Sequence, residues 1–567
     1  MKAFTALFSQ LDSSTSTSAK VSALTHYFAA AAPADAAWAS YFLAGGKPRQ
    51  VVPTSLLRAL ACERAGLPEW LFEESYQAVG DLAETIAHVL PAPSTRSDLS
   101  LSVWVEQRLL TLRATEPAEQ ARRVLAYWDE LESAERFMLT KLMGGGFRVG
   151  VSKLLVQRAL AELSGVDAKV VAQRMMGYTD KALQPSAVHY LRLIALNALT
   201  PADSGQPYPF FLAHPVEGTA AEFDATLGAV SQWLVEWKYD GIRAQVVRRA
   251  GRVWIWSRGE ELVTDRFPEV AAQMQNLPDG VVLDGEILVW LNAAPAPFAL
   301  LQQRIGRKTL TKKILTEVPV TFMAYDLLEQ DAVDVRDWPQ QKRRNALEVL
   351  TGQHQIALSP LQVRSSWAEL ARLREEARAR GVEGFMLKQV DARYGQGRTK
   401  RDGTWWKWKT EPLTVDAVLI YAQAGHGRRA SVYTDYTFAV WSRAPVDAAE
   451  AQAVIDAIAA RQPALPGALQ LVAFAKAYSG LTDEEFKGID RVIRQTTLEK
   501  FGPVRSVKPS LVFELGFEGI NRSPRHKSGI AVRFPRMLRI RSDKPIHEAD
   551  TLAQLEGFLS LQGSTSV

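Results

Sequence analysis

A lysine near the middle of the chain has neighbours that suit attack on a phosphate. Carboxylates flank it, and a glycine and an arginine follow it, in the octet Glu236-Trp237-Lys238-Tyr239-Asp240-Gly241-Ile242-Arg243. An amine becomes a nucleophile once it loses its proton, and a guanidinium can hold phosphate oxygens. Taken alone, the octet is also typical of a hairpin with a surface lysine, so motifs further along the chain must decide.

Five more short motifs follow the octet in order. They combine basic turns, acids, aromatic residues and lysines: Ser257-Arg258-Gly259, Asp284-Gly285-Glu286, Tyr325-Asp326, Glu383-Gly384-Phe385-Met386-Leu387-Lys388 and Lys407-Trp408-Lys409. Each has a plainer interpretation by itself, because acids occur in solvated turns, aromatic residues fill cores, and edge strands often carry lysines. Lys407 and Lys409, two residues apart on a predicted strand, share one face.

The segments around these motifs predict strands alternating with helices from about residue 201 to 412. An apolar run before the octet and an alternating run after it place the octet between two strands. Thr264 is the predicted cap of a short helix. A linker is predicted at 201–207 from its Pro, Gly and Ser content. Further strands are predicted at 253–259, 281–286, 321–327, 381–388 and 405–409.

The region from residue 1 to about 200 shows helical periodicity and no alternating strand pattern. Helices are predicted within 55–90, 101–113, 119–141 and 152–164. Ser152 is the expected N-cap of the last one, and Gly165 its stop. Glycines 144–146 lead toward this helix, where backbone N–H groups together with Arg148 and Lys153 suit an anion such as a DNA backbone. A flexible interhelical loop explains the same segment equally well.

The region from about 413 to the end predicts a small β-barrel. Short strands are expected at 415–420, 431–432 with 437–441, and 511–515, and a capping box at Thr482 to Glu485 opens one helix. Apolar residues interleave with the arginines of 533–541, which favours an ordered strand that presents those arginines. Residues 563–567 are predicted to be disordered.

Composition limits the class of protein. The chain of 567 residues is long enough for roughly three to four domains. Its net charge of +5 and pI ≈ 9.0 are compatible with nucleic-acid binding. The single cysteine, Cys62, excludes an internal disulfide and a multi-cysteine zinc site. With no long apolar run and no signal-peptide pattern, a cytoplasmic protein without a membrane anchor is expected, nucleoid-associated if bacterial.

The ordered motifs together resemble those of the covalent nucleotidyltransferases, which comprise polynucleotide ligases and RNA capping enzymes. The segment from Glu514 to Lys544 resembles ATP-dependent DNA ligases in particular, above all at its end, 533–544. Segments 80–84 and 147–151 are similar to the helical DNA-binding domain of three-domain ligases. The resemblance covers nearly the whole chain and is least specific before residue 75 and between about 440 and 470.

The resemblance implies a multidomain architecture and an activity. Residues 1–200 would be an all-α DNA-binding domain, 201–412 an α+β nucleotidyltransferase (adenylation) domain, and 413–567 an OB-fold β-barrel. The expected enzyme is an ATP-dependent DNA ligase that passes AMP from ATP to Lys238, then to a 5′-phosphate, before a 3′-hydroxyl expels it. ATP and Mg²⁺ or Mn²⁺ are the expected cofactors. Nicked duplex DNA is the expected partner of a monomeric chain acting in DNA repair or replication.

The resemblance also implies roles for single residues. Glu236 would bind the adenine amino group, Tyr325 would stack on the base, and Arg243 and Arg258 would face ribose or phosphate. Glu286 and Glu383 would bind the metal ion. Lys407 and Lys409 would neutralise the α-phosphate. Arg541 and Lys544, positioned by Asp543, would contact the departing pyrophosphate. Because a free lysine has a pKa of about 10.4, the amine of Lys238 needs nearby cations to shed its proton.

Two positions depart from the ligase pattern. Gly259 stands where ligases usually have Asn, so any polar contact from that side chain is missing. Tyr325 stands where many relatives have Phe, which preserves stacking.

An RNA ligase or capping-type nucleotidyltransferase is the alternative, although a capping enzyme would lack the helical domain. An NAD-dependent ligase normally carries a cysteine-rich zinc module, which a single cysteine cannot supply. A non-catalytic relative would have lost a charged motif residue, and none is missing.

Overall fold

The computed structural model describes residues 1–14, 16–46, 50–145, 147, 149–180, 183–196, 205–305, 307, 310–399, 404–425, 432–463, 465 and 467–562. The chain forms two compact units, Met1–Thr54 with Pro93–Thr410, and Ser55–Ala92 with Glu411–Val567. A helical N-terminal region, an α+β middle and a β-rich C-terminal region confirm the predicted fold class. The predicted domain limits stay predictions. The predicted disordered tail and part of the predicted linker lie outside the described residues.

Up to residue 196 the described chain contains helices and no strand. Two predicted helical runs are interrupted, and in the first of them Gly80 ends one helix at φ 75° while the Asp81 side chain caps the next. The helix predicted at 152–164 is present, and Gly165 ends it at φ 71°. A π-helical turn and a 3-10 turn occupy most of the run predicted at 101–113. The helices are α1 Lys2–Ser13, α2 Thr17–Ala30, α3 Pro33–Leu43, α4 Thr54–Ala65, α5 Glu69–Val79, α6 Leu82–Val89, α7 Leu101–Val103, α8 Pro117–Asp129, α9 Ser133–Met143, α10 Lys153–Ser164, α11 Ala168–Arg174 and α12 Ala187–Ile194.

The middle region contains two sheets with helices packed on them. Its strands are β1 His214–Pro215, β2 Trp233–Tyr239, β3 Ile242–Arg249, β4 Arg252–Ser257, β5 Val281–Leu291, β6 Ala294–Pro295, β7 Val320–Gln330, β8 Val333–Asp334, β9 Val382–Gln389 and β10 Trp405–Lys409. One sheet has the order β4-β3-β5-β7-β8, with β6 on β5, and the other has the order β1-β10-β9-β2. The helices are α13 Phe223–Thr226, α14 Pro268–Met274, α15 Phe298–Ile305, α16 Lys312–Glu317, α17 Gln340–His354 and α18 Trp367–Glu375.

The lysine octet crosses from one sheet to the other. It spans the end of β2 and the start of β3, and these strands pair with different neighbours, so the hairpin interpretation is wrong. Gly241 is required at the crossing, because a Cβ there would collide with the carbonyl oxygen of Ile287 on β5. The cap predicted at Thr264 is also wrong, since Thr264 begins a 3-10 turn and its hydroxyl accepts from the Ile255 N–H at 2.9 Å.

The C-terminal region is β-rich and consistent with an OB-fold. Its strands are β11 Leu413–Ala424, β12 Tyr433–Trp441, β13 Leu471–Ala477, β14 Thr497–Phe501, β15 Val504–Val507, β16 Val512–Phe517, β17 Gly519–Arg522, β18 Ile530–Arg533 and β19 Arg536–Ile540. They form a sheet in the order β13-β12-β11-β15-β14, in which β16 pairs with β11 and β19, and a β17-β18 ribbon. The capping box at Thr482 is confirmed. The described part of this region has three helices rather than one, α19 Ala448–Ala459, α20 Asp483–Thr496 and α21 Leu552–Gln562.

None of the helices in the described ranges is both long and apolar enough to cross a membrane.

Candidate active site

Lys238 lies near the end of β2, opposite an irregularity in β9. In the register of these strands, Glu383 and Gly384 together stand opposite Lys238 alone. Such a bulge bends a strand and re-aims its side chains, and here the Glu383 carboxylate contacts Nζ of Lys238. Gly384 permits the bulge, because its φ is 123° and a Cβ would collide with the carbonyl oxygen of Trp408. Nζ of Lys409 lies 3.5 Å from the same carboxylate.

Arg243 is a fixed cation on the second sheet, opposite Glu286 in the pairing of β3 with β5. Its guanidinium donates to both oxygens of Asp284, at 2.7 and 3.2 Å. It also donates to the Phe211 carbonyl at 2.6 Å and to the Tyr394 hydroxyl at 3.3 Å. Burial alone lowers the pKa of Arg243, but the Asp284 carboxylate outweighs burial and raises that pKa well above its ordinary value. Arg243 therefore keeps its charge and its place.

Glu286 has a strongly raised pKa. Burial raises the pKa of its carboxyl to about 8, against the opposing charges of Lys238 and Arg243 and with help from Asp284 and Glu383. At neutral pH the carboxyl is therefore mostly protonated unless another cation approaches it.

Glu236 is buried between two cations. Lys388 Nζ donates to its two carboxylate oxygens at 3.1 and 3.2 Å, and Arg344 donates at 3.4 Å. Lys388 also donates to the Tyr325 carbonyl at 2.7 Å and lies 4.5 Å from the centroid of that ring. Burial lowers the pKa of Lys388, opposed by Glu236, and burial raises the pKa of Tyr325, which keeps the phenol neutral. One lysine thus joins the acid and the aromatic ring predicted to bind adenine.

Lys407 and Lys409 lie on β10. The pairing of β10 with β9 is regular and sets Lys407 opposite Met386 and Lys409 opposite Gly384. Lys409 therefore reaches the acid that also contacts Lys238, and Lys407 lies two residues along the same face.

Arg258 lies in the turn after β4. Its backbone N–H donates to the Arg243 carbonyl at 2.9 Å, which bonds the turn to β3. Its side chain is exposed, and within the described chain no hydrogen bond or ion pair engages it. It lines a cleft of about 740 Å³, together with Arg158, Arg398 and the Phe210 ring.

Of the two residues predicted to bind DNA, the structure describes Lys153. Arg148 lies outside the described residues. Lys153 begins α10, where its ammonium contacts the Glu260 carboxylate and donates to the Met175 carbonyl at 2.9 Å. Burial lowers the pKa of Lys153, and Glu260 opposes this. The charge predicted to face DNA is therefore engaged within the protein.

In the barrel region, one carboxylate gathers the two cations predicted to bind pyrophosphate. Arg541 donates to the oxygens of Asp416 at 2.9 and 3.1 Å, and Lys544 donates to it at 2.7 Å. Asp543 accepts from Arg541 at 2.9 Å and holds the pKa of Arg541 above its ordinary value.

The partners that fix these residues have no role predicted from the sequence. Asp284 and Lys388 lie inside quoted motifs, but nothing local shows that they form ion pairs with Arg243 and Glu236. Tyr394 had no local signal. Arg344 looks like part of a solvated helix face, yet it is buried. Asp416 did leave a signal, since it is an acid within an apolar strand, Val415 to Ile420.

Comparisons with known proteins give a consistent result. A family model described as "ATP dependent DNA ligase domain" matches residues 211–409, and one described as "DNA ligase N terminus" matches residues 1–161. A "Probable DNA ligase" of Koribacter versatilis is 31% identical over 529 residues, which cover 88% of this chain and 85% of the relative. A "DNA ligase" of Methanothrix thermoacetophila is 30% identical over 529 residues, covering 91% of this chain and 89% of the relative. The solved structure "Pmar-Lig_PreS3" has a TM-score of 0.60 at 14% identity, over 95% of this chain and 99% of its own, which shows likeness of fold.

Proposed function

Because this chain belongs to the family of ATP-dependent DNA ligases, enzymes that seal nicks in duplex DNA, we propose that Lys238 is the residue to which AMP is attached. The supporting observation is the bulge of β9, where Lys238 meets Glu383 with Lys409 beside it. Attack on an α-phosphate needs an amine nucleophile, a group to accept its proton, and a cation for the developing charge. All three side-chain types are present there.

The proposed reaction has three steps. The Lys238 amine attacks the α-phosphorus of ATP, an N–P bond forms, and pyrophosphate leaves; Glu383, in contact with Nζ, is placed to take the proton. An oxygen of the DNA 5′-phosphate then attacks the same phosphorus, and the N–P bond breaks. Finally the 3′-hydroxyl attacks the 5′-phosphorus, which forms the phosphodiester and releases AMP.

We propose that Glu236 and Tyr325 hold the adenine. Lys388 and Arg344 hold the Glu236 carboxylate in place, and its oxygens can also accept from an exocyclic amino group. Tyr325 is a neutral ring whose backbone is bonded to Lys388, which fixes a flat surface for the base. Both groups are already held in place before nucleotide binds, which favours a pre-formed adenine site.

The remaining cations of this region are assigned to the ribose and phosphates. Arg243 cannot move far, because Asp284 holds its guanidinium, so it provides a fixed positive charge. Arg258 has no partner among the described side chains and is free to reach a phosphate oxygen. Lys407 and Lys409 are assigned to the α-phosphate, which is present in all three steps.

Glu286 and Glu383 fit a Mg²⁺ ion, or Mn²⁺, which uses a few carboxylates together with waters and phosphate oxygens. No group of three or more His, Cys, Asp or Glu side chains suited to a metal occurs in the described ranges, so phosphate oxygens would complete the shell. The raised pKa of Glu286, about 8, reflects burial and neighbouring acids, a cost that a divalent cation removes. When bound, the ion would neutralise charge on the phosphate under attack.

We assign nicked duplex DNA to the helical region and the barrel of a monomeric chain that acts in repair or replication. Arg541 and Lys544 are assigned to pyrophosphate, which requires that Asp416 release them.

The test follows the label from α-³²P-ATP. Lys238→Ala should lose covalent AMP, whereas Lys313→Ala, which changes a solvent-exposed lysine of α16, should keep it. Label mapped to another lysine would contradict the assignment. Labelling by GTP, or sealing of nicked RNA but not nicked DNA, would favour the capping or RNA ligase alternative instead.

A further inference from the structure

Helix α10 is tied to the α+β region by a partly buried ion pair. Lys153 contacts Glu260, and their side chains are only 18% and 21% exposed. The Met175 carbonyl accepts from the same ammonium at 2.9 Å. Two charges removed from water remain stable together only while the pair persists, so separating them is unfavourable for both segments.

Glu260 lies in a turn whose backbone conformation is unusual. Its φ of 62° is in the left-handed region, which residues other than glycine seldom adopt. The turn is closed by the Glu260 N–H to the Ser257 carbonyl and the Ser257 N–H to the Glu261 carbonyl, both at 2.9 Å. Arg258 lies inside this turn, two residues before Glu260. A displacement of the Glu260 side chain would therefore also shift Arg258, because both residues lie in the same short hydrogen-bonded turn.

Two more contacts accompany the ion pair. Gln396 donates to Gln157 at 3.0 Å, and Gln157 lies one helical turn after Lys153 on the same face of α10. Gly177, at φ 72°, packs on the Trp256 ring of β4 so closely that a Cβ would lie 2.7 Å from the nearest ring atom. The ion pair thus belongs to a shaped interface and is not an isolated surface contact.

We propose that Lys153 and Glu260 form a latch that seats α10 on the α+β region and thereby sets where Arg258 stands in the cleft of about 740 Å³. The proposal rests on the proposed function, because it requires that Arg258 bind a phosphate oxygen. Arg158 and Arg398 line the same cleft, and within the described chain neither side chain has an ion-pair partner. Lys153 is then a positioning residue, and the exposed arginines supply the charge that faces an anionic strand.

Charge reversal tests the latch. Lys153→Glu places two carboxylates together, while an acid at the first residue of a helix is itself favourable, so the variant should fold. Sealing of a pre-adenylated nick should fall about a hundredfold, as expected when a positioned group shifts by about 1 Å. Self-adenylation should fall as well, because Arg258 is also assigned to the ribose and phosphates of ATP.

The double variant, Lys153→Glu with Glu260→Lys, should restore sealing to within about fivefold of wild type, the remainder reflecting the donor lost to Met175. Failure to restore sealing, with the salt slope of nick binding reduced by about one unit, would show that Lys153 contacts DNA itself. Losses of adenylation and sealing that the double variant leaves unrestored, with an unchanged salt slope, would make the pair merely structural.

Hydrogen exchange provides a readout that needs no activity. Peptides covering α10 and residues 252–262 should exchange faster in Lys153→Glu and return to wild-type rates in the double variant. Unchanged exchange in Lys153→Glu would overturn the latch. A wild-type protein that seals no nick would overturn the proposed function and leave the exchange result intact, so the two failures are distinguishable.

Discussion

The buried ion pairs of the α+β region and the two cations of the closing motif of the barrel, residues 533–544, are held in opposite ways. In the α+β region, Arg343 and Asp326 pair at 2.8 Å with both side chains fully buried. In the barrel, Arg541 and Lys544 remain 19% and 20% exposed and share Asp416. A buried pair cannot exchange one partner for a ligand without leaving an uncompensated charge, whereas a partly solvated pair can. The first arrangement suits a permanent binding site, and the second suits groups that serve a single step.

The largest expected effect comes from breaking the buried pair. Arg343→Met leaves Asp326 without its partner and should lower the free energy of unfolding by about 3–5 kcal/mol. Arg380→Met is the matched control, because its pair with Glu376 is about half exposed and should contribute less than about 1 kcal/mol. Urea denaturation followed by tryptophan fluorescence measures both. Equal losses would erase the contrast between buried and solvated pairs.

Removing the two cations of the closing motif should separate the reaction steps. The variant Arg541→Ala with Lys544→Ala should self-adenylate about a hundred- to a thousandfold more slowly, because pyrophosphate loses its charge stabilisation. It should seal a pre-adenylated nick at nearly the wild-type rate, because no pyrophosphate is present in that step. Lys407→Ala is the contrasting variant and should slow both steps. If the double variant loses both activities equally, these cations are structural or bind DNA.

Asp416→Asn should have a smaller effect in the opposite direction. With the competing carboxylate removed, Arg541 and Lys544 are free for pyrophosphate, and the KM for ATP in self-adenylation should fall about two- to fivefold. Initial rates at varied ATP concentration measure this change. A lower kcat with an unchanged KM would show instead that Asp416 holds the two cations in their productive positions.

The smallest effect is expected at Gly259, one of the two positions that depart from the ligase pattern. A Cβ at Gly259 would lie 3.6 Å from the Ser257 hydroxyl, an ordinary contact, so Gly259→Asn should change stability by no more than about 0.5 kcal/mol. Gly384→Ala is the matched contrast, because its Cβ would collide with backbone. Thermal unfolding of the two variants should show a clear shift only for Gly384→Ala.

Apolar and alternating runs predicted the helical, mixed and β-rich regions because they are local signals, and the resemblance carried by the ordered motifs supplied the rest of the fold class. It also indicated Lys238, whose proposed role stays a prediction. The bulge opposite Lys238 could not be predicted, since it depends on the register between strands 145 residues apart. The start of α10 was predicted correctly, but charge alone does not reveal whether Lys153 faces solvent or an acid such as Glu260.

The register of β9 differs between its two edges. Toward β10 the register is regular, with Gly384 opposite Lys409, whereas toward β2 the pair Glu383 and Gly384 occupies the space of one residue. The strand therefore sets an offset between the amine of Lys238 and the lysines of β10. Deleting Gly384 would shift these groups by about 3.3 Å along the strand while every charged side chain of the site survived. The number of residues in β9 is thus constrained by the site, independently of which charged side chains the site contains.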